Sequence, residues 1–174
     1  TTGKTPGLMA HQSAAVDWIH SVGRGLLADE PGLGKTRTAI ESFSGPDYQN
    51  VLVVAPAMVI DGGTWREELA RWSDHPERFT VVPYTSLNQR AKTAAGGQTV
   101  LDSPRDEYNR PWDAIILDEA HYIKGRNTRW TKAIKQLSVI SGDVLQLTGT
   151  PMPHWAHELF SLIQVLRPRE SGRG

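Results

Sequence analysis

Five short apolar runs punctuate this chain, and each ends at a proline, an acid, a glycine or a threonine. They are Leu26-Leu27-Ala28, Val51 to Ala55, Phe79 to Pro83, Ala114 to Leu117 and Val144 to Leu147. Apolar residues dominate them, which predicts strands, and the unbroken run from Val51 to Ala55 predicts one buried on both faces. Helical spacing fills the intervals. Val16, Ile19 and Val22, with Ala15 and Trp18 beside them, predict a helix from about Leu8 that Gly23 and Gly25 close. A second helix begins at Arg37-Thr38-Ala39-Ile40. Trp65, Leu69 and Trp72 form a stripe opposite Arg66, Glu67, Glu68 and Arg71, and Tyr84-Thr85-Ser86 begins a brief helix. Asn127 is placed to cap a helix carrying Trp130, Ala133, Ile134, Leu137 and Ile140. A last one, ending before Pro168, puts Ala156, Leu159, Phe160, Ile163 and Leu166 on one face. Between Gln89 and Pro111 the pattern weakens into a solvated connection, with Thr99-Val100-Leu101 as a short strand inside it.

Strands that alternate with helices predict an α/β fold, a mostly parallel central sheet with helices on both faces. Ligands of such sheets sit beyond the carboxyl ends of the strands. Five segments lie at those ends: Gly32 to Thr36, Pro56 onward, Tyr84 to Ser86, Asp118 to His121, and Thr148 to Pro151.

Composition narrows the classes. At 174 residues, with 39% hydrophobic and 22% charged, the chain has the size and balance of one globular domain. Lysine plus arginine equal aspartate plus glutamate at 19 each, so no net field draws it to nucleic acid or membrane. A local basic face stays open. There are no cysteines, which removes thiol catalysis, disulfides and cysteine zinc sites together. No apolar run approaches the ~20 residues of a membrane span, and Thr1 to Gly7 lacks a signal-peptide core. The expectation is an intracellular protein with no membrane partner: cytoplasm or nucleoid in a prokaryote or virus, nucleus in a eukaryote.

The first strand runs into Asp29-Glu30-Pro31-Gly32-Leu33-Gly34-Lys35-Thr36. Gly32 and Gly34 let backbone N–H groups approach phosphate oxygens, and the following helix presents its positive end to the same anion. Lys35 can reach the β- and γ-phosphates, and the Thr36 hydroxyl can take a Mg²⁺ ligand position. The general pattern G-x-x-x-x-G-K-S/T has a glycine where this chain has Asp29. Asp118 and Glu119 close the strongest strand, and neighbouring carboxylates there can divide two jobs: one helps hold Mg²⁺, the other orients the attacking water. His121, His154 and His157 do not make a zinc motif, since His154 to Glu158 is not H-E-x-x-H. No G-x-S-x-G elbow supports a nucleophilic serine.

Together these motifs carry a resemblance. Asp118-Glu119-Ala120-His121 resembles the Walker B box of helicase superfamily two. Asp29 to Thr36 resembles the phosphate loop of its Swi/Snf-like branch, which accounts for the acid at 29. Leu147-Thr148-Gly149-Thr150-Pro151 is similar to motif III, and Glu158 to Leu162 to the segment after it. The resemblance runs from about Leu8 to Pro168. It implies the first RecA-like lobe of an ATP-driven translocase on double-stranded DNA, with ATP and Mg²⁺ bound at Gly32, Leu33, Gly34, Lys35, Thr36 and Arg37. Gln12, which by itself reads as a solvated surface residue, then matches the glutamine that reads adenine. Lys35, Asp118 and Glu119 match the catalytic set, and Thr36 and Asp118 the metal set. His121, Thr148, Gly149 and Thr150 match residues that couple nucleotide to nucleic acid. Pro56, Met58, Tyr84, Thr85 and Ser86 match segments that approach DNA phosphates. Tyr122, Gly125 and Met152-Pro153-His154 depart from the family pattern, and Gly62-Gly63 resembles a short insertion.

The family's second lobe, with its arginine finger, has no counterpart in this sequence. The expectation is one lobe over residues 1–174, with 1–7 as lead-in and 168–174 as flexible tail. Its partner would be a second RecA-like lobe, in the same longer chain or in trans. Alone it would turn over little ATP. A DEAH-box-type lobe acting on RNA or single strands, or a non-enzymatic nucleotide- or DNA-binding module, are the other readings.

Overall fold

The computed structural model of the protein describes residues 7–28, 32–123, 129–149 and 162–167. Asp29 and Glu30, Asn127, Thr150 to Ser161, and the two chain ends lie outside the described residues. In chain order the elements are α1 (Ala10–Val22), β1 (Arg24–Ala28), α2 (Lys35–Ser42), β2 (Val51–Ala55), α3 (Ala57–Asp61), α4 (Thr64–Trp72) and β3 (Phe79–Pro83). Then come β4 (Asn88–Lys92), β5 (Gln98–Pro104), β6 (Ala114–Leu117), α5 (Arg129–Ile140) and β7 (Asp143–Thr148).

All five apolar runs are strands, and they pair in parallel in the order β1-β7-β6-β2-β3. Strand β2 shows why the runs are continuous. It has neighbours on both edges, and its side chains alternate between two cores. Leu52 and Val54 join Ile115, Leu117, Ile134 and Leu137 on one face. Val51, Val53 and Ala55 join Ile40, Phe43, Trp65 and Ile116 on the other. Every β2 side chain is fully buried. Each buried valine or leucine contributes roughly 1.5–3 kcal/mol relative to exposure, so neither face tolerates a polar residue.

Helix ends follow local chemistry. Gly23, at φ 67, closes α1 with its N–H on Ile19 O at 2.9 Å. Gly25 belongs to β1 instead, because Trp18 lies over it: a Cβ there would stand 2.4 Å from the indole. The turn before β7 is as tight, and there the neighbour is backbone. Gly142 donates to Trp112 O at 2.9 Å, and a Cβ would meet Asp113 O at 2.5 Å.

Three expectations change. The stripe of α1 is not Val16, Ile19 and Val22: Ile19 is buried, but Val22 is exposed and Gln12 takes the buried place. The helix packs its first turns on the loop after β1, so its inner face rotates toward Gln12. In the helical stretch 162–166, Leu162 and Val165 are buried and Ile163 is exposed, a face one residue out of step with the expected one. In the expected connection from Gln89 to Pro111, the short strand at 99–101 is found within β5, but β5 pairs antiparallel with β4 in a hairpin seated on α5. Asn88 anchors it, donating through Nδ2 to Arg129 O at 2.8 Å and Leu101 O at 3.2 Å.

Candidate functional site

The loop after β1 enters α2 through Gly34, its N-cap, at φ 77; Gly32 lies at φ 89. Both values are left-handed, and side-chain-bearing residues rarely take them. A Cβ on Gly34 would stand 2.5 Å from Gln12 Nε2, whereas nothing lies within 4 Å of one on Gly32. Helix α1 holds this loop by its backbone. His11 Nε2 donates to Leu33 O at 3.2 Å, and Gln12 Nε2 makes a longer 3.4 Å contact with Gly34 O. Gln12 Oε1 accepts the Met9 N–H at 3.0 Å. Gln12 is 1% exposed, which overturns its reading as a surface residue. Its amide is pinned between Met9 and Gly34.

Lys35 and Thr36 open α2, half-buried. Arg37, expected in the phosphate-binding set, lies in the first turn of α2 with its side chain buried. Its guanidinium lies 3.8 Å from the centroid of Trp72 on α4, with Glu41 Oε1 at 3.7 Å from its Nε. A buried guanidinium needs a ring or carboxylate to face, and Arg37 finds both on the helical side.

Strand β6 delivers the acids. Asp118 N–H donates to Val54 O at 2.8 Å, continuing the ladder one step past the strand. Asp118 Oδ1 accepts the Glu119 N–H at 2.9 Å, and Oδ2 accepts the indole N–H of Trp65 at 2.9 Å. The Tyr84 hydroxyl donates to Asp118 O at 2.8 Å. Burial pushes the Asp118 carboxyl above its ordinary range, and the Glu119 charge adds to this. The Trp65 bond, the Glu119 N–H and the Lys35 ammonium pull it back. Lys35 and Asp118 thus feel each other's charge, although 83 positions of sequence numbering separate them (118 − 35). Glu119 stands at φ 48, the only non-glycine with positive φ among the described residues. Its Oε2 lies 3.1 Å from His121 Nδ1, without the alignment of a hydrogen bond.

The register sorts the remaining candidates. Ala28 pairs with Thr148, Leu117 with Gln146, and Ala55 with Pro83, so all strand ends finish on one side. Thr148 is buried and Gly149 half-buried at the end of β7, between the loop and the acids. Thr150 lies outside the described residues. Pro56 is the buried N-cap of α3, and Met58 is exposed. Thr85 is exposed; Ser86 Oγ donates to Pro83 O at 3.0 Å. Tyr84 is corrected. Its side chain is buried, stacked on Tyr122 at 5.7 Å, with its hydroxyl spent on Asp118 O, so it presents no group to a phosphate. Burial also pushes its phenol well up.

Three features escape a reading of the sequence. His11 shows only as the neighbour of Gln12. Trp65 reads as a core tryptophan, because spacing cannot show that its N–H meets an acid. A cleft of about 520 Å³ opens on the hairpin side, lined by Gln89, Arg90, Arg105, Asp106 and Glu107. It is built on β4 and the segment after β5, away from the glycine loop. No cluster of three or more potential metal-ligating side chains occurs among the described residues, and none of their helices is long and apolar enough to cross a membrane.

A glycine loop after the first strand, paired acids after β6 and a parallel five-stranded sheet between helices define a RecA-like lobe. Comparison with known proteins narrows this. The family model described as SNF2-related domain matches residues 11–173. The ISWI chromatin-remodeling complex ATPase ISW1 of Saccharomyces cerevisiae is 29% identical over 187 residues, covering 92% of this chain and 16% of that protein. The DNA annealing helicase and endonuclease ZRANB3 of Homo sapiens is 30% identical over 165 residues, covering 87% of this chain and 15% of its own length. A solved SWI2/SNF2 ATPase core of Sulfolobus solfataricus, in complex with dsDNA, superposes with a TM-score of 0.77 at 25% identity, over 95% of this chain and 36% of that one. The chain belongs to the SNF2-related domain family, as its N-terminal RecA-like lobe. It spans about a sixth of the length of these two curated relatives.

Proposed function

We propose that this lobe binds ATP with Mg²⁺ and forms one half of a motor that works on double-stranded DNA. The sheet order carries the reading. Strand β7 lies between β1 and β6, so Thr148-Gly149 sits between the glycine loop and the paired acids. Beyond the acids, β2 and β3 bring Met58 and Thr85 to the far edge. The Sulfolobus core solved in complex with dsDNA supports a duplex as the partner.

The donors fit the cation: the Thr36 hydroxyl and the Asp118 carboxylate are the hard oxygens Mg²⁺ takes. These two residues would hold it, and when bound it neutralises charge on the phosphates. Lys35 donates to phosphate oxygens. Glu119 orients a water toward the γ-phosphorus and takes its proton as the bond to the β-phosphate oxygen breaks. His121, beside Glu119 Oε2, limits where that carboxylate can point. Adenine reading by Gln12 would use the second N–H of Nε2 and the second lone pair of Oε1, beside its bonds to Gly34 O and the Met9 N–H. Thr148, Gly149 and Thr150 pass the change in the site toward the DNA edge. Contacts from Pro56, Met58, Thr85 and Ser86 would meet backbone phosphate, which positions a duplex without reading its sequence.

An arginine finger supplies about 10³–10⁵ in rate in related phosphate-loop enzymes, and a facing lobe would bring it. The lobe alone therefore binds ATP and hydrolyses it slowly. ATP hydrolysis by the complete natural chain, with duplex DNA, single-stranded DNA and RNA in turn, tests the reading. Duplex DNA is expected to stimulate, Lys35→Ala to abolish turnover, and Glu119→Gln to keep binding while losing hydrolysis. Stimulation by RNA alone would reject the duplex, and normal turnover in the Lys35 variant would reject the site.

A further inference from the structure

Trp65, in the first turn of α4, is 1% exposed and gives its one polar hydrogen to Asp118 Oδ2. An ionised carboxylate has about four lone-pair directions. The Trp65 N–H takes one on Oδ2 and the Glu119 N–H takes one on Oδ1, so the plane of the group is fixed. These two bonds leave one lone pair on each oxygen for a cation. An indole can only donate, so this bond matches the ionised carboxylate and disfavours rotation of the group.

The same helix reaches the other half of the site. Trp72, two turns on, lies on the face of Trp65 and stacks against Arg37 of α2 at 3.8 Å, with Arg71 at 4.8 Å. Helix α2 starts at Lys35. One nine-residue helix thus touches both the acid after β6 and the helix carrying Lys35 and Thr36.

We infer that Trp65 is a positioning residue for Asp118, and that α4 sets the distance between this carboxylate and the Lys35-Thr36 loop. This rests on the ATP–Mg²⁺ reading above and adds a residue to it. Hydrogen-bonded partners of metal ligands typically cost 10–100-fold in metal affinity when lost. Trp65→Phe removes the N–H and keeps the ring. With a fluorescent ATP analogue and Mg²⁺ titrated in, this variant is expected to need about tenfold more Mg²⁺ for the same occupancy. Binding in excess chelator is expected to stay unchanged. A wild-type Mg²⁺ midpoint in Trp65→Phe overturns the inference, even with lower thermal stability.

The indole N–H resonance of Trp65 gives a second readout, identified as the signal missing from Trp65→Phe. It is expected downfield, at a hydrogen-bonded position, and to move upfield in Asp118→Ala. A signal indifferent to Asp118→Ala overturns the pairing, and the inference with it, while the ATP reading stands. A wild-type chain that binds no nucleotide at any Mg²⁺ level overturns the ATP reading and the inference with it.

Discussion

Glu119 occupies backbone space that costs an ordinary L-residue about 1–2 kcal/mol. The strain sits where the carboxylate must leave the line of β6, turn away from Asp118 and face His121. Glu119→Asn, which tolerates the left-handed region better, is expected to raise stability by up to ~1 kcal/mol, or roughly 2–4 °C in Tm. It should lose hydrolysis at the same time. Calorimetry beside an ATPase assay checks both, and a lower Tm would argue against strain at this position. The acids themselves are plain in the sequence, because four apolar residues run straight into them. The N–H of Trp65 is not, because a donor 53 residues away becomes Asp118's partner only through the fold. Tyr84 misleads for the converse reason: a hydroxyl in a polar-looking segment reads as available until its bond to Asp118 O is seen.

At the level of elements, short apolar runs declare themselves by composition, and all five are strands, with β2 and β6 buried on both faces. Strand β4 does not. Asn88-Gln89-Arg90-Ala91-Lys92 contains a single apolar residue, and its extended form comes from pairing with β5 and the Asn88 bonds. Helix α3, five residues long, is too short to show a period. Tight connections are equally silent. Gly142→Ala would set a methyl against the Asp113 carbonyl, a backbone atom that cannot step aside. Chemical denaturation should register a loss of about 1–3 kcal/mol. A neutral result would mean the α5–β7 turn relaxes more than packing suggests.

Across the whole molecule, strand order is the part no local pattern contains. The chain makes β7 last among its described strands, yet β7 sits between β1 and β6 and brings together segments more than a hundred residues apart. Two phenols tie opposite ends of that sheet. Tyr84 serves the carboxyl end, and Tyr48 donates to Asp143 Oδ2 at 2.6 Å at the start of β7. Burial pushes both phenols up, with the Asp143 bond and charge adding to it for Tyr48. Folded, they stay neutral where an unfolded chain ionises, near pH 10. The unfolded state therefore binds fewer protons above that pH, and stability is full below it and falls as the pH climbs past it. Two of the four tyrosines, Tyr48 and Tyr84, should add their tyrosinate absorbance in step with loss of helical circular dichroism rather than before it. Early ionisation of every tyrosine would contradict the burial.

The hairpin ends in an exposed turn at 93–97, closed by Thr93 N–H on Gly97 O at 2.9 Å. The chain holds no cysteine. A single Ala95→Cys would therefore give one unique thiol, outside both cores and clear of the glycine loop. A dye placed there would report by energy transfer how far this lobe travels from a labelled duplex or a facing domain, with the site itself unaltered.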